Sequence, residues 1–213
     1  GKSVDANRLS VLAKSLPQSV VCIESVSEDG GKVKTGTGFF LSGDGIVATC
    51  AHLVDGAKTI RVKTLTGAEY KFQGVKKIDL DKDLALLSVS VEGVAPFNST
   101  DTSSIAVGTQ IAVFGNPLNF KGTFTEGVVS AIREPQAKRC RLIQISAPIS
   151  PGSSGSPVVN LEGELVGMVT SGAKDGEGIG FVIPAEFLWL AVEGGDADNI
   201  KKEEEIDVLR DSL

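Results

Sequence analysis

Apolar residues fall along this chain in short runs broken by turn-forming residues, with helical spacing confined to its two ends. From Ser19 onward SVVCIESV, KVKTGTGFFLS, GIVATCAHLV, KTIRVKTL, EYKFQGVKKI and LALLSVSV are rich in β-branched residues. They are divided by DGG, SGDG, VDGA and LTGA. Gly and Asp at such junctions supply tight turns, so the runs between them read as strands. VAPFNSTDTSS is polar and nearly patternless, which fits a linker. The rhythm then resumes with TQIAVFGN, GTFTEGVVSAI, KRCRLIQISA, SPVVNL, ELVGMVTSG and GIGFVIP. Two successive sets of about six strands, with no helix alternating between them, predict an all-β chain of two antiparallel barrels.

The ends read differently. DANRLSVLAKS carries Leu9, Leu12 and Leu16 at helical spacing, with Asp5 or Asn7 as cap and Pro17 as stop. PAEFLWLAV predicts a second helix with Pro184 near its first turn. NIKKEEEIDVLRDSL is a charged helical pattern with a thin stripe of Ile206, Leu209 and Leu213, expected as a solvated surface helix or linker. The expected organisation is a lead-in over 1–18, a first barrel over 19–97 and a linker over 98–106. A second barrel over 107–184 and a helical segment over 185–213 complete it.

Composition narrows the function. The 213 residues suffice for a real core, and 41% hydrophobic with 23% charged residues fits a globular chain. A net charge of −6 argues against general binding to nucleic acid or anionic membranes, and no apolar run is long enough to span a bilayer. GKSVDANRLS has no apolar signal core, so a targeting peptide is expected to be absent or already removed. Cys22, Cys50 and Cys140 are too scattered for a disulfide scaffold. With His52 they formally offer a Cys₃His zinc site, but no C-x-x-C spacing supports it. Buried strand cysteines are expected instead, with no metal and no cofactor.

Candidate chemistry begins at Ser150–Pro157, SPGSSGSP, between two predicted strands. Such a loop turns tightly with little side-chain bulk, so backbone N–H groups can converge beside the hydroxyl of Ser154. Acyl transfer needs that combination, although a Gly/Ser loop is often only a turn. The single histidine, His52, ends the strand GIVATCA, where a base facing a cleft would stand; lone histidines are also commonly structural. Asp83 directly precedes the apolar strand LALLSV, which fixes its backbone. Asp79 and Asp81 are its rivals. An ionised Asp at position 83 would orient the imidazole and stabilise its protonated form. The order His52, Asp83, Ser154 is that of chymotrypsin-type enzymes, with base and acid from the first barrel and nucleophile from the second.

TGTGFFLSGDGIVATCAHLVDGA, DLALLSV, GTFTEGVVSAI, IQISAPISPGSSGSPVVNLEGELVGMVT and GIGFVIP together resemble the protease domain of the HtrA/Deg serine proteases, from the N-terminal helix to about Leu190. The resemblance implies a chymotrypsin-like double six-stranded β-barrel with short terminal helices. It makes His52, Asp83 and Ser154 a catalytic triad and maps the oxyanion hole onto Gly152 and Ser154, with Ser153 between them. It implies protein or peptide substrates, unfolded ones among them, in protein quality control, and an extracytoplasmic or organellar compartment. It also implies a trimer, although the aromatic residues that join such trimers are missing from DANRLSVLAKSLPQ.

Three departures matter. GSSGS stands where the family usually has Asn before the nucleophile and Gly at the position of Ser156. GxSGSP also resembles the glutamyl endopeptidase branch, whose acidic specificity leans on a second histidine that this chain lacks. Cys50 replaces the usual Asn and is expected to pack near the site. The C-terminal stretch is too short for the family's PDZ domain, so either a truncated chain or a subgroup without a PDZ domain is expected.

For the substrate side chain before the scissile bond, the expected pocket is lined by Ala147, Pro148 and Ile149 and by Thr170, Ser171 and Gly172. No acidic residue lies there, so small or aliphatic side chains are the expected preference. Segment 169–172 is expected to take extended substrate as an added strand. Loops 115–123 and 172–178 flank the cleft, and in the resembled family such loops switch between inactive and active forms. The competing class is a catalytically silent module of the same fold that binds unfolded segments or a partner. A metal-dependent hydrolase is the third class.

Overall fold

Twelve antiparallel strands close into two barrels in a computed structural model. It describes residues 2–27, 31, 33–98, 100–115, 122–134, 140–172 and 179–194. The first barrel comprises β1 (Val20–Ser27), β2 (Val33–Phe40), β3 (Ile46–Thr49), β4 (Ala57–Thr64), β5 (Glu69–Asp79) and β6 (Leu84–Ser90), joined in the order β1-β2-β3-β6-β5-β4. The second comprises β7 (Gln110–Gly115), β8 (Thr123–Arg133), β9 (Leu142–Ile145), β10 (Pro157–Asn160), β11 (Leu165–Gly172) and β12 (Gly180–Pro184), joined as β10-β11-β12-β9-β8-β7. Closure gives each strand a neighbour on both sides over part of its length, which limits the edge that could template aggregation.

Alternation along the strands assigns side chains to two cores. On β12, Val182 points into the second barrel with Ile111, Ile143, Ile145, Val158 and Val166. Its neighbour Ile183 points the other way, into a larger cluster that runs from Phe39, Phe40 and Leu87 through Leu165 and Met168. That cluster reaches Phe187 and Leu188 of the C-terminal helix α3 (Ala185–Glu193), so one apolar seam fastens the barrels together. The run LALLSV of β6 is buried throughout, which explains why it is nearly continuous in apolar residues.

The helix α1 (Lys2–Ser15) starts earlier than expected, so Asp5 and Asn7 lie inside it rather than capping it. No Gly or Pro interrupts the chain between Lys2 and Leu16 to stop it sooner. Pro17 ends it as expected, in a 3₁₀ turn over Leu16–Ser19. Leu12 and Leu16 are buried against the main cluster. Pro184 stands at the N-cap of α3, and Gly194, at φ 76°, closes it in the left-handed conformation. The expected helical tail with Ile206, Leu209 and Leu213 lies outside the described residues, as do 116–121 and 173–178 of the expected cleft loops.

Candidate active site

His52 sits on a one-turn helix rather than in an open loop. Strand β3 ends at Thr49, Cys50 is extended, and the chain then coils into α2 (Ala51–Val54). Ala51, Leu53 and Val54 are buried, which turns the imidazole outward with its side chain 48% exposed. Lys34 caps the far end, its ammonium donating to the carbonyls of His52 at 2.7 Å and Asp55 at 3.3 Å.

Asp83 stands in the turn between β5 and β6 at φ 60°, a left-handed conformation uncommon outside Gly but tolerated by Asp. From there its carboxylate faces α2. The His52 backbone N–H donates to Oδ1 at 2.9 Å, and ring Nδ1 lies 2.9 Å from both carboxylate oxygens. The buried Thr170 hydroxyl donates to Oδ2 at 2.5 Å. Burial pushes the Asp83 carboxyl up. The hydrogen bonds from His52 and Thr170, and the positive charge of the imidazolium, outweigh it and hold the group below its ordinary value. The rivals are engaged elsewhere or turned away. Asp79 accepts from the Lys82 backbone N–H at 2.9 Å and its ammonium at 3.0 Å, while Asp81 is exposed.

Ser154 reaches this pair from the second barrel. Its hydroxyl donates to the Thr170 carbonyl at 3.3 Å; no hydrogen bond joins it to the His52 ring among the described residues. Around it the loop distributes its amides unevenly. Ser153 N–H donates to Ser150 O at 2.9 Å, Gly155 N–H to Val169 O at 2.8 Å and Ser156 N–H to Ser153 O at 3.0 Å. Among the described residues, Gly152 and Ser154 N–H have no protein acceptor. Gly152 has φ 94° and Gly155 φ 85°. A Cβ at Gly155 would lie 1.9 Å from Thr37 O, so the loop needs Gly there to approach the first barrel. Ser156 is wholly buried, and its hydroxyl has no hydrogen-bond partner among the described residues.

The predicted pocket residues divide into two groups. Ala147 is buried in the second core and Pro148 is exposed, while Ile149 is partly buried and packs toward β12. A Cβ at Gly180 would lie 2.7 Å from Ile149 Cγ1, so glycine there lets Ile149 pack directly against β12. Ser171 and Gly172 pair with Phe181 and Gly180 along β11 and β12. Thr170 does something the sequence did not signal. Its hydroxyl serves Asp83, and its carbonyl accepts from Ser154.

Cys50 lies beneath the site, wholly buried, with its sulfur 3.2 Å from Val169 O. Cys22, Cys50 and Cys140 are all buried thiols. The donor atoms of Cys50, His52 and Asp83 lie within 4.8 Å of one another, the one such grouping among the described residues. Two of these three already bind each other through the imidazole–carboxylate pair.

The model of the family described as "Trypsin-like peptidase domain" matches residues 36–168. A relative from Synechocystis sp. that carries the name serine protease HhoB is 38% identical over 160 residues, covering 71% of this chain and 38% of that protein. A relative from Halomonas elongata that carries the name periplasmic serine endoprotease DegP-like is 33% identical over 156 residues, covering 71% and 33%. The matched chain thus spans under two fifths of these curated relatives. Among solved structures, the active form of the Rv3671c protease from M. tuberculosis superposes with a TM-score of 0.77 at 27% identity, covering 87% of this chain and 85% of that one.

Proposed function

This chain belongs to the trypsin-like peptidase domain family, and on that premise we propose that it is a serine endopeptidase with His52, Asp83 and Ser154 as its catalytic triad. The observation that carries the reading is Thr170, which holds the Asp83 carboxylate with its hydroxyl and the Ser154 hydroxyl with its carbonyl. One buried residue thereby gathers the acid of the first barrel and the nucleophile of the second.

Rotation of the Ser154 side chain from Thr170 O toward His52 Nε2 starts the reaction. The imidazole takes the hydroxyl proton as Oγ bonds to the substrate carbonyl carbon and the carbonyl π pair moves onto oxygen. Asp83, kept ionised, stabilises the imidazolium. The amides of Gly152 and Ser154, flanking Ser153, receive the oxyanion. The imidazolium then protonates the amine as the C–N bond breaks, and water repeats the addition on the acyl-enzyme. No step calls on a metal or cofactor.

Substrate binds in extended form beside β11. Pairing of β11 with β10 ends at Met168 opposite Pro157, and Val169 is bonded through its N–H and carbonyl to Ser156 and Gly155, so residues 170–172 are left with β12 as their partner strand among the described residues. We assign recognition of the side chain before the scissile bond to Ile149 and to Thr170, Ser171 and Gly172 of β11, where no acidic residue stands, so small or aliphatic side chains are selected. Unfolded proteins are the substrates this open edge suits, which is a quality-control activity. The relatives named as periplasmic support an extracytoplasmic setting. The described residues contain no helix long and apolar enough to cross a membrane.

The test is digestion of a reduced, denatured protein, with the new termini identified by mass spectrometry. Cleavage after Ala, Val, Ile or Leu, lost in Ser154→Ala and His52→Ala, is expected. Binding of the denatured protein without cleavage identifies a silent module, and cleavage dominated by Arg, Lys or Glu contradicts the pocket.

A further inference from the structure

The nucleophile loop is held from outside its own barrel. Strand β2 carries Gly36-Thr37-Gly38, and the two glycines leave Thr37 at the seam with little bulk beside it. A Cβ at Gly36 would lie 2.4 Å from Leu53 and 3.0 Å from Ser154 O. Thr37 is wholly buried and touches the loop at two points. Its N–H donates to Ser154 O at 2.9 Å, and its hydroxyl donates to Gly152 O at 2.9 Å. Thr37 is itself fixed, because its carbonyl accepts from the buried Thr49 hydroxyl at 2.7 Å.

The hydroxyl contact falls on the peptide that separates the two amides lacking a protein acceptor among the described residues. The Gly152–Ser153 unit is tied at its N–H by Ser150 O and at its carbonyl by Thr37. With both ends tied it cannot rotate, and the amides on either side keep their directions. Gly152 has no side chain to restrain it and sits at φ 94°, so one lost tie leaves that peptide free to turn.

We infer that Thr37 is a positioning residue for the oxyanion donors, acting across the barrel interface through the Gly152 carbonyl. The role rests on the serine endopeptidase reading. It concerns the transition state more than substrate binding, because oxyanion donors bind charge that develops only during acylation.

Thr37→Val removes the hydroxyl at nearly constant volume and keeps the backbone bond to Ser154, while Thr37→Ser restores a donor. Thermal melts establish that both variants are folded. With a peptide amide substrate, kcat of Thr37→Val is expected to fall about tenfold to a hundredfold with KM within about twofold, and Thr37→Ser to recover most of the loss. A peptide aldehyde supplies the second readout. Ser154 Oγ adds to its carbonyl and the proton passes through His52, leaving a hemiacetal whose oxygen faces the same amides. Its affinity should fall by the same factor as kcat, while a non-covalent product peptide binds unchanged. Active wild type with an unaltered kcat in Thr37→Val, or a loss that Thr37→Ser does not repair, overturns the inference alone. Wild type that neither cleaves nor binds the aldehyde overturns it together with the endopeptidase reading.

Discussion

Replacing Thr170 by Val tests the electrostatics of the site through stability. Thr170 is 1% exposed and Asp83's side chain 16%, so the bond between them is made largely out of water. A hydrogen bond to an ionised group contributes about 1.5–3 kcal/mol, and its loss leaves the buried carboxylate with His52 as its remaining donor. The expected cost near pH 7 is therefore about 2 kcal/mol, read from urea unfolding midpoints at constant slope. Its pH dependence has a definite sign. The folded Asp83 carboxyl lies below its ordinary value, so its ionised form adds stability above the unfolded-state value of about 3.9. That stability disappears as pH falls through the folded value. The gap between wild type and Thr170→Val should be full at pH 7 and narrower at pH 3, below the unfolded-state value of about 3.9, where that stability is being lost. Thr170→Ser should behave as wild type. An equal gap at both pH values would show that Val costs packing and not a bond to charge, and no gap at pH 7 would refute the argument.

Ser156→Ala removes a wholly buried hydroxyl that has no partner among the described residues, so stability should rise by about 1 kcal/mol and Tm by about 2–4 °C. A lower Tm in calorimetry contradicts this. Gly155→Ala drives a Cβ into Thr37 O while the residue holds φ 85°, and urea unfolding should register a loss of about 3 kcal/mol or more. A near-neutral variant would mean that the loop can move away from β2. Because the Asp83 carboxyl is held below its ordinary value, one proton should govern the acid side of the profile and kcat/KM should decline there with a slope of one; a slope of two would bring in a second essential proton.

Most of the scaffold was legible because turn residues and β-branched runs specify strands locally. All twelve runs became strands, and the barrels closed as the pattern required. The helix carrying His52 was not legible, since four residues are too few to show a helical period. Thr170 was placed by its sequence neighbours as a pocket residue. Its service to Asp83 depends on a contact across 87 positions that no local pattern encodes. Thr37 was hidden for the same reason, being 115 positions from the carbonyl it holds. The place of Asp83 directly before LALLSV favours it over Asp79 in the sequence, whereas the bonds that engage Asp79 with Lys82 are visible only in the folded turn.

The most direct measurement is the site of covalent modification by a fluorophosphonate. At Ser154 the hydroxyl oxygen would displace fluoride at phosphorus while His52 takes the proton, so the intact mass should rise by one phosphonyl group and peptide mapping should place it on Ser154. His52→Ala should slow the labelling by orders of magnitude. A wild-type protein that stays unmodified under conditions that label an active control protease, or that takes the group elsewhere, would contradict the account.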